Sequence, residues 1–181
     1  AAMEKLSQEG IETRANPLAP TALTVIAGER KIRNSFSYSE GDIELQDASS
    51  QAVVAAMPHG ARVLDYCAGG GGKALAIAMD YDTAVFAHDI DPARMRDLPA
   101  RATRAGATVH QLDAENMTAQ TQFDVVLCDA PCSGSGAWRR SAEGKWTLSE
   151  QRLKGLTQRV LWSMQHVRCL LRKMSAELLR F

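Results

Sequence analysis

The stretch VLDYCAGGGGK, Val63 to Lys73, decides the fold. Val63 and Leu64 are the apolar centre of a short strand, ARVLDYC, and Asp65 stands where that strand runs out. The four glycines Gly69, Gly70, Gly71 and Gly72 then lead into ALAIAMD, whose composition suits a helix. Strand, glycine loop and helix in that order open a parallel α/β sheet. Glycine lets the backbone take positive φ and approach a ligand closely, and open parallel sheets bind ligands beyond the carboxyl ends of their strands. The loop lacks a clean G-x-G-x-x-G spacing, which argues against a nucleotide-dependent dehydrogenase.

Downstream the pattern repeats. TAVFAHD, ATVHQLD and FDVVLCD are three further strands, and they end in Asp89, Asp113 and Asp129. Three successive strands finishing in aspartate put their carboxylates on one edge of the sheet. Between the first two lies a basic helix, DPARMRDLPARATRAG, with an interruption expected at Pro99. Upstream, LQDASSQAVVAAM reads as a helix capped by Asp47 or Ser49. TALTVIAG is extended in character, and YSEGDIELQ alternates around a glycine turn. Residues 148–173 read as a long helix. Strands alternating with helices predict an α/β fold, a parallel sheet with helices on both faces. The division expected is a strand-rich segment at 1–46, a core at 47–158 and a basic tail at 159–181.

Composition sets limits. A length of 181 residues with 45% hydrophobic content suits one domain with a real core. Lys and Arg number 21 against 21 Asp and Glu, so overall charge does not advertise a polyanion partner. Cys67, Cys128, Cys132 and Cys169 show no metal-ligand spacing, nor do His59, His88, His110 and His166, and no metal is expected. No apolar run reaches membrane length, and free thiols fit a reducing cytoplasm. The opening AAMEKLSQEG lacks an evident domain start, so an excised or incomplete protein is expected.

An edge of carboxylates suits a ligand with hydroxyls, an amino group and a positive sulfonium, which is S-adenosyl-L-methionine. Asp89 is placed to hold its ribose. Beside that edge runs DAPCSGSG, Asp129 to Gly136, where Pro131 and the small residues leave Cys132 on an open loop. A thiol beside a methyl donor points to methylation of a pyrimidine at carbon 5. Thiolate addition at carbon 6 makes an enamine whose carbon 5 attacks the methyl group, and elimination then frees the enzyme. A free thiol ionises near pH ~8.5, so such a cysteine needs activation. Cys67 and Cys128 read as packing residues.

LQDASSQAVV, VLDYCAGGGGK, AHDIDPARM, FDVVLCDAPCSGSGAWRRSAEGKW and the helix beginning LSEQRL resemble the Nop/Sun family of RNA cytosine-5 methyltransferases, in particular its bacterial ribosomal RNA members. The likeness runs from about Gly10 to about Gln158. It implies a Rossmann-like class I methyltransferase fold, here lacking the C-terminal end of the sheet, with ribosomal RNA as partner. It also implies that Cys67, Ala68, Gly69, Gly70, Gly71, Gly72 and Lys73 wrap the cofactor, joined by Asp89, Asp113 and Asp129. Cys132 matches the family's product-release cysteine. The family's nucleophile sits in a later Thr-Cys-Ser strand, which does not occur in these 181 residues. The family loop commonly reads Cys-Ala-Ala-Pro-Gly-Gly-Lys-Thr; Gly69, Gly70 and Ala74 replace its second alanine, proline and threonine.

For RNA, Trp138 and Trp146 are candidates to stack on bases, and Arg139, Arg140 and Lys145 to meet phosphates. Cys169, in HVRCLLRK, has the wrong neighbours for a nucleophile. One synonymous spelling of WSMQHVRCLLRKMS, read two bases on, gives Glu-Tyr-Ala-Thr-Cys-Ser. A shifted reading frame after Gln158 is therefore expected, and with it impaired methyl transfer. The competing reading is a non-catalytic cofactor- or RNA-binding remnant. An amino-group methyltransferase is disfavoured, since DAPC is not an Asn/Asp-Pro-Pro-aromatic stretch.

Overall fold

A computed structural model describes residues 1–80, 82–113, 115–116, 122–135, 138, 142–158 and 160–161. Arg139, Arg140, Cys169 and the tail from 162 onward lie outside the described residues. Of the helix read over 148–173, positions 148–158 and 160–161 are described; 148 and 149 are not helical, and 150–158 and 160–161 are.

The N-terminal part is a hairpin dressed with short helices. Helix α1 (Ala2–Gln8) leads to strands β1 (Glu12–Ala15) and β2 (Leu23–Ala27), which pair antiparallel with Thr13 opposite Val25. A 3-10 turn (Glu29–Asn34) and helix α2 (Phe36–Ser39) follow. Leu6, Ile11 and Ile32 form its small core, with Leu23, Val25 and Ile43 packed around them. The alternating strand expected in YSEGDIELQ is absent: the Ser35 side chain caps α2 at the Tyr38 amide, and no strand is assigned at residues 43–46. Glu9, 27 residues before Phe36 in the chain, fixes the same helix. Its carboxylate accepts from the Phe36 and Ser37 amides and from the Ser37 hydroxyl. The Ser37 hydroxyl, more than the two amides, holds that carboxyl below its ordinary range.

Helix α3 (Ala48–Ala55) is capped by Asp47, which accepts from the Ser49 amide at 3.0 Å. The sheet follows: β3 (Arg62–Asp65), α4 (Gly72–Asp80), β4 (Ala84–Ala87), a 3-10 turn (Pro92–Met95), α5 (Leu98–Arg104), β5 (Val109–Gln111) and β6 (Val125–Leu127). Pro99 lies in the first turn of α5, where its missing N–H costs nothing, so it helps to start that helix instead of interrupting one. A short helix, α6, spans Glu143–Trp146, ahead of the helical positions from 150 onward. The strands are parallel in the order β5–β4–β3–β6, with Leu64 beside Phe86 and Val126.

Period-two alternation splits the core between the two faces. Val63, Val85 and Ala87 point to one side, where Val54 of α3, Leu75 and Ile77 of α4, and Leu98 and Ala102 of α5 cover them. Leu64, Tyr66, Phe86, Leu112 and Phe123 form the other. Among the described residues, side chains of α3, α4 and α5 join the first cluster alone. The second is closed by Phe86 and Phe123 packed edge to face, with the Arg62 guanidinium over both rings.

Leu64 is fully buried at the centre of the sheet. Leu64→Ala is expected to lower stability by about 2–5 kcal/mol, read as a shifted urea midpoint with an unchanged slope.

Candidate functional site

The chain leaves β3 toward β4 and β5 on one side and returns to β6 on the other. That reversal opens a crevice at the carboxyl ends of β3 and β6. Hydrogen bonds carry order past the strand ends: the Tyr66 amide donates to Leu127 at 2.8 Å, that of His88 to Asp65 at 2.9 Å, and that of Ala68 to His88 at 2.9 Å. The glycine loop therefore leaves from a fixed point between β4 and β6. Within it the Gly71 amide donates to Ala68 at 2.8 Å, and the Gly71 carbonyl accepts from Leu75 as α4 begins. Gly71 has φ +78°, and a Cβ there would meet Leu98 Cδ1 at 2.4 Å, so this position needs glycine for both conformation and space.

A cavity of about 100 Å³ opens here, lined by Gln46, Ser50, Asp65, Cys67, Ala68, Gly72, Lys73 and Asp129. Lys73 Nζ lies 2.6 Å from Asp129 Oδ2, bridging the start of α4 to the loop after β6. Asp65 is 1% exposed, and neither carboxylate oxygen makes a hydrogen bond of ordinary geometry, although the Ala74 amide lies near enough to favour the anion. Burial pushes its carboxyl up to about 7; the Lys73 cation opposes the shift, and Asp129 and Asp89 reinforce it. A far larger groove, of about 860 Å³, runs between the hairpin and helices α3 and α4, lined by Leu6, Val25, Leu45, Ala76 and Met79 among others. It touches none of Asp65, Lys73, Asp89 and Asp129, so the small cavity is the one at the carboxyl ends of the parallel strands.

Asp89 is 3% exposed and already engaged. Its Oδ2 accepts from the Gly69 amide at 2.8 Å and from Arg94 Nη1 at 3.1 Å, and its Oδ1 from the Asp91 amide at 3.0 Å. The sequence reading made Asp89 a ribose acceptor with no part in loop geometry. The structure corrects this: the same carboxylate holds the first loop glycine, and Oδ1 keeps acceptor capacity for a ligand.

Asp113 is exposed, and its carboxylate takes the Asn116 amide and side chain at 2.7 and 2.9 Å. It caps a local turn and does not line the cavity. Cys132 is exposed on the loop after β6, also outside the lining. Burial raises the Cys128 thiol, and a hydrogen bond with Cys67 partly offsets that. Tyr66 is pushed up to about 12, mainly by burial. Trp138 is half-buried against Gly144, whereas Trp146 is 81% exposed with Lys145 Nζ 5.6 Å from its ring centre. The lining adds Asp65, Gln46 and Ser50 to the expected set. For Asp65 the signal was present in the strand-ending acid; Gln46 and Ser50 sit in LQDASSQ, which reads locally as nothing more than a helix start.

A four-stranded parallel sheet with a glycine turn and an acid edge at its switch point defines a Rossmann-like methyltransferase domain. The 16S rRNA methyltransferase RsmB/F family matches residues 52–173, and the chain belongs to that family. The match runs past Gln158, where the sequence reading placed its end. The chain is similar to the "Probable ribosomal RNA small subunit methyltransferase B" of Bacillus subtilis, at 33% identity over 157 residues, which cover 80% of this chain and 34% of that protein. It is 38% identical over 131 residues to the "Ribosomal RNA small subunit methyltransferase B" of Salmonella newport, covering 67% of this chain and 30% of that one. Among solved structures, a "Methyltransferase Homolog Protein from Pyrococcus Horikoshii" superposes with TM-score 0.71 at 26% identity, over 91% of this chain and 55% of that one. "PH0851" superposes with TM-score 0.73 at 29% identity, over 88% and 39%. The chain thus spans about a third of the length of these curated relatives. No described helix is long and apolar enough to cross a membrane.

The buried carboxyl yields a pH test. A folded-state value near 7 against an ordinary 3.8 means that the folded chain binds the extra proton between those limits. Stability is therefore lost as pH rises through that window and levels off above it. Asp65→Asn removes the charge. It is expected to be more stable than the parent by on the order of 4 kcal/mol at pH 8, with the difference shrinking toward pH 4. Urea midpoints across pH 4–8 check this; a parallel offset at every pH would refute it.

Proposed function

We propose that this chain is the cofactor-binding part of an S-adenosylmethionine-dependent RNA cytosine-5 methyltransferase acting on ribosomal RNA in the cytoplasm. The observation that carries the reading is the buried, unpartnered Asp65 carboxylate facing a small cavity beside Lys73. A buried acid with no donor in good geometry calls for a cationic or donating ligand group, and the cofactor's ammonium is one. About 100 Å³ holds only part of such a molecule. Asp65 and Lys73 would hold its methionyl end, and the glycine loop and Asp89 would hold the rest. When bound, the cofactor supplies an electrophilic methyl on its sulfonium. The chain's own residues orient it: Asp65 neutralises the ammonium, Lys73 balances local charge, and Asp89 presents Oδ1 to a ribose hydroxyl. Asp113 has a weaker case, since Asn116 occupies its carboxylate.

Cys132 matches the family's product-release cysteine, and its thiol is exposed. Carbon 6 of the pyrimidine needs a second thiolate, and Thr-Cys-Ser is missing from these residues. The second reading is a domain that binds cofactor or RNA without turnover. The first reading, and the cofactor-binding form of the second, expect calorimetric binding of S-adenosylmethionine or its demethylated product, weakened about tenfold or more by Asp89→Ala. No heat from folded protein at millimolar cofactor would sink these and leave only RNA binding without turnover. Labelled methyl donor with ribosomal RNA separates them: the chain alone is expected to transfer little or no methyl. Robust transfer lost on Cys169→Ser would overturn that expectation, and encoding DNA without Thr-Cys-Ser in any shifted frame would remove the frameshift account.

RNA contact through Trp138, Arg139, Arg140 and Lys145 gives affinity that falls with salt. Replacing Arg139 and Arg140 together by alanine is expected to reduce the slope of log affinity against log salt by about 1–2. An unchanged slope moves the RNA surface elsewhere.

A further inference from the structure

Helix α5 grips the glycine loop. Leu98 lies under Gly71, and one turn later the Arg101 guanidinium donates through Nη1 to the Gly70 carbonyl. Just before the helix, Arg94 reaches Asp89 and approaches Gly69. Arg101 is held from behind: its Nη2 lies 3.4 Å from Glu44 Oε1, while the other oxygen of Glu44 accepts from Arg104. The Arg104 guanidinium stacks over Tyr38 at 4.1 Å. Gly41 passes so close that a Cβ there would lie 2.0 Å from the Arg104 carbonyl. Residues 38–44 of the N-terminal part therefore back α5 at the point where α5 meets the loop.

We infer that Arg101 is a positioning residue that fixes the Gly70–Gly71 peptide and couples the N-terminal part to the cofactor loop. The Gly70 carbonyl and the Gly71 amide belong to one rigid peptide plane. Holding the carbonyl toward Arg101 holds the amide toward Ala68, with which it makes its 2.8 Å bond. Gly70 lacks the positive φ of its neighbours Gly69 and Gly71, so its own conformation gives no reason for glycine, and its extra freedom works against an ordered loop. Arg101 offsets that freedom with a charge-assisted hydrogen bond. Glu44 keeps the long arginine side chain from spending its time in solvent. As a statement about affinity the inference rests on the cofactor reading above; as a statement about the loop it stands without it.

The test separates these. Exchange of the Gly71 amide, followed by NMR in the free chain, is expected to quicken about tenfold in Arg101→Ala, with amides of β3 and β4 unmoved. Cofactor affinity by calorimetry is expected to fall about fivefold, and Arg101→Lys, with a single point charge, restores part of both. In a double-mutant cycle Arg101→Ala and Glu44→Gln are expected to be non-additive. Arg96→Ala, on an 81% exposed side chain, changes neither readout. Should Arg101→Ala fail to fold, Arg101→Gln keeps the stem and loses the charge, and the same loss is expected. Gly71 exchange within twofold of the parent in these variants, or strict additivity with Glu44→Gln, overturns the inference. Cofactor that fails to bind even the unaltered chain sinks the proposed function, and amide exchange still decides the role of Arg101.

Discussion

An acid buried at the end of the central strand is the constraint around which the rest is arranged. Asp65 belongs to β3, the strand that touches both β4 and β6. Placing a carboxylate there without donors opposes folding. The surroundings do not relieve it fully: the Lys73 cation acts on it but is also bound to Asp129. Local rules of polar satisfaction fail at this point while strand pairing, turn chemistry and core packing all hold, which is the pattern of a functional site. A cationic or donating group that met the carboxylate would offset that cost.

The glycine loop shows how close approach and fixed placement are reconciled. Its entrance is pinned through the Ala68 amide to His88, its first glycine through Asp89, its turn through Gly71 over Leu98, and its exit through the first turn of α4. A loop with four glycines is conformationally permissive in isolation. Here it is over-determined by β4 and α5, so flexible residues supply clearance and their neighbours supply order.

Much of this was legible in the residues. Apolar strands closed by aspartate, with a glycine run after the first, carried the parallel sheet and the side on which ligands bind. Local pattern did not carry the contacts made over long stretches of chain. Helix α2 depends on Glu9, a residue that alone looks like part of a solvated helix end. Helix α1 has no polar side chain at its cap and so no start signal. YSEGDIELQ alternates as a strand does, yet its Glu44 serves the arginines of α5. Asp89 and Asp113 look alike as strand-ending acids; one is buried and anchors the loop, the other is exposed and caps a turn. Burial made that difference, and burial belongs to the fold.

Strand β6 pairs with β3 over only three residues, Val125 to Leu127, and its residues are half-buried. Asp129 and the Cys132 loop hang from that short ladder, while Asp65 and Lys73 belong to the firmer body of β3 and α4. The two halves of the site are thus joined by one of the least extensive seams in the sheet. A molecule that touches both halves acts as a fastener: by mass action its binding free energy is added to the docking of β6. With the cofactor proposed above bound, local opening of that strand would become rarer as its concentration rises.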